Sequence, residues 1–123
     1  MRTFLASAAV EHLQPAVPFE LGLAGRLGYS CIYPAYIRGQ AYPAAGQGAA
    51  AVAEFQKILD HRGLVQNCPT GALTHLGLAR AYLLQGDTAK ARAAYQDFFT
   101  LWKGADPDIP ILTEARVEYE KMK

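Results

Sequence analysis

Sliding the 123-residue chain along itself by 40 positions superposes residues 32–63 on residues 72–103 without a gap. Ala41-Tyr42 falls on Ala81-Tyr82, Gly46 on Gly86, Ala49 on Ala89, Ala51 on Ala91, Ala53 on Ala93 and Gln56 on Gln96, seven identities in all. Phe55 falls on Tyr95, and Ile58-Leu59 on Phe98-Phe99. Alanine pairs recur by chance in helical sequence, so the tyrosine, glycine and aromatic pairs carry the match. A period of this length restricts the fold to one supersecondary unit used twice, each copy covering the other's apolar face.

Each copy reads as a helix, a tight turn and a second helix. From Thr70 to Gln85, Leu73, Leu76, Ala79, Tyr82 and Leu83 recur at three- and four-residue spacings, which predicts an amphipathic helix. Gly86 follows where a helix ends in a left-handed residue, and Asp87 or Thr88 can cap the next one. Ala91, Tyr95, Phe98 and Trp102 form the second stripe; a small residue beside a ring lets two helices approach while the ring fills the groove between them. Tyr36, Gly39, Tyr42, Gly46, Ala51, Phe55 and Ile58 repeat the pattern in the earlier copy. Pro43 stands where the later copy has Leu83, and is expected to kink its helix or end it early.

The flanks extend the pattern. Residues 4–14 read as a half-unit helix, because Ala9 and Leu13 are spaced as Ala51 and Phe55 are. The start faintly resembles a secretory signal, but the apolar run stops at Glu11-His12 and a helix is the better reading. Residues 15–33 form a connection dense in helix breakers: Pro15, Pro18, Gly22, Gly25 and Gly28. At the other end Asp106-Pro107-Asp108 stops a helix, and residues 109–122, with Leu112, Ala115, Tyr119 and Met122 in a stripe, read as a capping helix. The expected architecture is all-α: one domain over 1–123, with antiparallel helix-turn-helix units at 34–62 and 70–103, the half-unit before them and the cap after them.

The order Leu78-Ala79, Tyr82, Gly86, Ala91, Tyr95, matched by Gly39, Tyr42, Gly46, Ala51, Phe55, resembles the tetratricopeptide (TPR) repeat. The usual period is about 34 residues; the longer one here puts the surplus in the second helix and in the 63–70 connection, and displaces the closing proline to Pro69 and Pro107. Two longer strings, AYPAAGQGAAAVAEFQKILDHRG at 41–63 and ALTHLGLARAYLLQGDTAKARAAYQDFFTLWKGADPDIPIL at 72–112, are similar to the C-terminal TPR region of bacterial, acidobacterial-type, eukaryotic-like Ser/Thr kinases and related signalling regulators. The resemblance implies a TPR-like solenoid that acts as a non-catalytic protein-interaction scaffold, the terminal part of a signalling array. The alternative is a stand-alone small helical protein that binds a small molecule or a hydrophobic peptide in its groove. Kinase chemistry is absent: the chain has no Gly-rich phosphate loop, HRD or DFG-type sequence.

Composition narrows the partners. With 51% hydrophobic and 19% charged residues the chain is globular, and its net charge of +1 offers no footprint for nucleic acid or an anionic membrane. No apolar run approaches the roughly 20 residues that span a bilayer. Cys31 and Cys68 lie outside any CxxC pair and read as two ordinary thiols of a reducing compartment, which places the chain in the cytoplasm. His12, His61 and His75 show no metal-ligand spacing, and His75 reads as a surface or groove histidine. Ser7 and Ser30 lack a nucleophile elbow, Cys31 lacks a signature around it, and Gly46-Gln47-Gly48 follows no strand. No enzyme activity, cofactor or metal is expected.

In TPR proteins the first helix of each unit lines a concave face. That places Tyr33, Tyr36 and Gln40 from one unit and Leu73, Leu76, Arg80 and Leu83 from the next in a partner-binding groove. Arg80 among apolar neighbours is suited to a bidentate pairing with a partner's carboxylate; the several Lys and Asn positions of TPR proteins that grip C-terminal carboxylates are missing. The partner expected is a protein or peptide. Phe4, Leu5, Ala8, Ala9 and Val10 make a bare N-terminal flank. It is covered either by Val17, Phe19, Leu21, Leu23 and Leu27 or by a second copy in a homodimer.

Overall fold

Helix propensity and the two stripes set the architecture. The computed structural model describes residues 2–21, 31–65 and 68–123 and is all-helical over them. Its elements are α1 (Arg2–Leu13), α2 (Tyr33–Ala44), α3 (Gly48–Asp60), α4 (Arg62–Val65), α5 (Pro69–Leu84), α6 (Thr88–Leu101) and α7 (Pro110–Lys121), with a 3-10 turn at Gln14–Ala16. Most ends fall within two residues of the sequence expectation, the scatter usual at helix termini. The short α4 at the start of the connection between the two units was not expected. Gly22, Leu23, Gly25, Leu27, Gly28 and Ser30 lie outside the described residues.

α2 packs on α3 and α5 on α6, each pair a hairpin closed by three residues, and α3 packs on α5 to join them. The two turns are built alike. Gly46 and Gly86 hold φ of 76° and 78°, left-handed values that glycine takes without steric cost. Gln47 N–H donates to Tyr42 O at 2.8 Å and Gly46 N–H to Pro43 O at 3.0 Å. Forty residues on, Asp87 N–H donates to Tyr82 O at 2.9 Å and Gly86 N–H to Leu83 O at 3.0 Å. This is the Schellman closure, which satisfies carbonyls that the helix end would otherwise orphan. Asp87 then caps α6 by accepting from Lys90 N–H at 3.1 Å. Pro43 does not shorten its helix: it occupies the last turn, and α2 ends at Ala44, the counterpart of Leu84 at the end of α5.

The second helices deliver the core. Ala51, Phe55 and Ile58 of α3 and Ala91, Tyr95 and Phe98 of α6 are all buried, at matching positions. Phe55 shows what the small residues are for. A Cβ on Gly39 of α2 would lie 2.7 Å from its ring, and one on Gly77 of α5 would lie closer still, so the ring is wedged between two bare backbones. Helix propensity alone would make Gly77→Ala stabilising by about 1 kcal/mol. Overpacking against Phe55 is expected to outweigh that and leave a net loss of about 1 kcal/mol or more, read as a lowered melting temperature. A raised one would show that the ring gives way freely.

Two cross-links tie the non-repeated chain to the hairpins. Cys31 and Cys68 form a disulfide with Cα atoms 5.8 Å apart, joining the residues before α2 to the cap of α5. This corrects the reading of two free thiols: packing α2 beside α5 brings their preceding residues together. Thr70 Oγ1 reinforces the junction by donating to Cys31 O at 2.9 Å. The second link is Arg38, whose side chain is fully buried in α2. It donates to both oxygens of Glu20 at 2.7 and 2.6 Å, to Glu54 of α3 at 3.0 Å, and to Leu13 O at the end of α1 at 3.1 Å. Lys57 closes the cluster on Glu20 at 2.7 Å.

Candidate functional site

α2 and α5 run side by side and leave a groove of about 180 Å³ between them. Tyr36, Gln40, Leu73, Leu76 and Arg80 line it, five of the seven residues expected there. Tyr33 and Leu83 do not. Tyr33, at the first position of α2, is exposed, and Leu83 packs against the core cluster. Pro43, Phe55, Gly77 and Ile111 complete the wall. Ile111 comes from α7, a contribution that helix period within the repeats had no means of showing.

The groove has a graded chemistry. Leu73 and Leu76 make its aliphatic base, and Tyr36 stands edge-on to Phe55 with ring centroids 6.0 Å apart. Gln40 Nε2 donates to Tyr36 Oη at 2.9 Å, which orients the phenol at the rim. Burial pushes the Tyr36 hydroxyl above its ordinary value, so it remains a neutral donor there.

Arg80 is already occupied. Its guanidinium donates in a fork to Glu118 of α7, Nε to Oε2 at 3.0 Å and Nη2 to Oε1 at 2.8 Å. Tyr95 Oη donates to the same carboxylate at 2.6 Å. Burial pushes the Glu118 carboxyl up, but these bonds outweigh it and hold the group below the usual range. Tyr95 is driven well above its usual value by burial and by that same bond. The bidentate partner expected from another protein is therefore supplied within the chain, and Arg80 serves to dock α7 over one end of the groove.

His75 is not at the surface or in the groove. It is buried in α5 and faces a second, larger cavity on the α3–α6 side. Phe4 and Leu5 remain 75% and 60% exposed on α1, so the described part of the following segment does not cover them. Among the described residues no group of three or more His, Cys, Asp or Glu side chains is arranged to hold a metal ion, and no helix is long and apolar enough to cross a membrane. No protein-family model, curated protein or solved structure matches the chain.

Proposed function

We propose that the chain is a non-catalytic protein-interaction module, a TPR-like array of two hairpins that seats a peptide segment in the α2–α5 groove. The observation that carries this reading is the convergence of Tyr36, Gln40, Leu73, Leu76 and Arg80 on one groove. Its volume of about 180 Å³ suits a single anchoring side chain; pockets that bury whole small molecules run from about 300 to 1,000 Å³. The peptide is thus favoured over the small molecule as the groove's occupant. The matched Schellman turns at an offset of 40 residues support the repeat reading, and the resemblance to kinase tails is the ground for reading the module as part of a bacterial signalling array. The Cys31–Cys68 bond favours an oxidising compartment over the cytoplasmic placement expected from the sequence.

Panning a random peptide library against the folded protein tests the proposal. The expected result is enrichment of peptides sharing one large apolar anchor. Gln40→Trp fills the groove from its exposed rim without touching the core, and is expected to weaken the selected peptides at least about tenfold. Absence of a shared anchor, or indifference to Gln40→Trp, would reject the groove as the binding surface.

A further inference from the structure

A larger cavity lies away from that groove. About 490 Å³ opens where the end of α3, the two ends of α4, the start of α5 and the end of α6 meet. Its body is apolar: Ile58, Leu59, Val65, Leu101 and Trp102 wall it, and Cys68 of the disulfide closes one side. The space exists because α5 presents Gly71 and Ala72 here; a Cβ on Gly71 would meet only Val65, at 3.8 Å. A volume of this size falls within the range of small-molecule sites.

Two opposite charges stand on the lining. Among the described residues Arg62 of α4 makes no ion pair, and Asp97 has His75 at 3.9 Å. His75 is buried on the same lining, and its burial lowers its proton affinity, so near neutral pH it contributes a neutral donor or acceptor. Asp97 and Arg62 act on it in opposite directions, which places both charges within electrostatic reach of one buried ring. The cavity therefore combines an apolar body with one cation, one anion and a neutral imidazole.

We propose that this cavity binds a small zwitterion with an apolar body, the chemistry of a large apolar α-amino acid. The ligand's carboxylate pairs with Arg62, its ammonium with Asp97, and its side chain packs against Trp102, Leu59 and Val65. A singly charged ligand would leave one of the two lining charges unanswered, and a plain hydrocarbon would leave both.

Trp102 is the one tryptophan of the chain and a wall of the cavity, so its fluorescence reports occupancy directly. Titration with L-phenylalanine is expected to give a saturable change. N-acetyl-phenylalaninamide, which lacks both charges, is expected to bind roughly tenfold more weakly. Asp97→Asn is expected to weaken phenylalanine about threefold while leaving N-acetyl-phenylalanine, which has no ammonium, unchanged. Arg62→Gln is expected to weaken phenylalanine similarly while leaving phenylalaninamide unchanged. Both positions are exposed, so the fold survives the substitutions, and circular dichroism checks that it does. No saturable response to phenylalanine, equal binding of the uncharged analogue, or effects unmatched to the ligand's charges would each overturn the assignment. Gln40→Trp adds a second tryptophan to the background but is expected to leave the dissociation constant of this titration unchanged, which separates its failure from that of the groove.

Discussion

Reducing the Cys31–Cys68 bond is expected to destabilise the fold by about 4 kcal/mol and to lower its melting temperature by more than about 10 °C. The bond joins residues 37 apart in sequence, and in the chain-entropy picture opening such a loop releases that much freedom to the unfolded chain. Strain on the native side offsets part of it. Cys31 and Ile32 both hold left-handed backbone, φ 49° and 50°, a conformation that side chains with a Cβ resist. The disulfide and the complete burial of Ile32 keep them there. Melting curves with and without reductant, beside those of the Cys31→Ser/Cys68→Ser double variant, measure the effect. Coincident curves would show that the hairpins hold this junction unaided.

Arg38→Met is expected to cost about 3 kcal/mol, towards the low end for breaking a buried ion pair because Lys57 still reaches Glu20. The loss comes less from the missing attraction than from the carboxylate left behind, whose side chain is fully buried. Adding Glu20→Gln removes that charge and is expected to restore much of the stability. A double variant no better than Arg38→Met alone would mean that the arginine acts by packing. Acid gives an independent reading. Burial pushes the Glu20 carboxyl up, yet the bonds from Arg38 and Lys57 prevail and hold it below its ordinary value of 4.5. The unfolded chain thus takes up this proton at higher pH than the folded one. The stabilisation is complete above about pH 4.5 and is lost as the pH falls further. Wild type is expected to lose stability over that window, and the Glu20→Gln variant to lose less.

What could be read from the sequence was what depends on near neighbours. Helix stripes, the turn glycines, the Asp87 cap and the offset between copies are local features, and each hairpin follows from them. Phe55, Tyr95 and their small partners were legible because an aromatic and an alanine at fixed spacing state their own packing. Five groove residues followed from the TPR resemblance, but Ile111 did not, because nothing local says which way α7 lies. The Cys31–Cys68 pairing was hidden for a related reason. It depends on two helix starts being side by side, while two cysteines without a motif read as thiols. Arg38 looks like any charged residue on a helix until Glu20, from a segment without periodicity, is brought over it. Pro43 misled because its cost depends on position: it lacks the N–H that would bond back to Gly39, but only Ala44 of the helix follows it, so little helix is left for it to break.

The pairings along the chain bear on how it assembles. α2 meets α3, α5 meets α6, and the α3–α5 contact joins the two hairpins across one short connection. Each step therefore closes a small loop, and little ordering has to precede the first favourable contact. Such a chain has a low contact order, and either hairpin can serve as the nucleus onto which the other condenses. The Arg38 clasp is different in kind, since it gathers α1, Glu20, α2 and α3 at once and can form only after the first hairpin exists. It is a late fastening, and its loss should show as faster unfolding with the folding rate little changed.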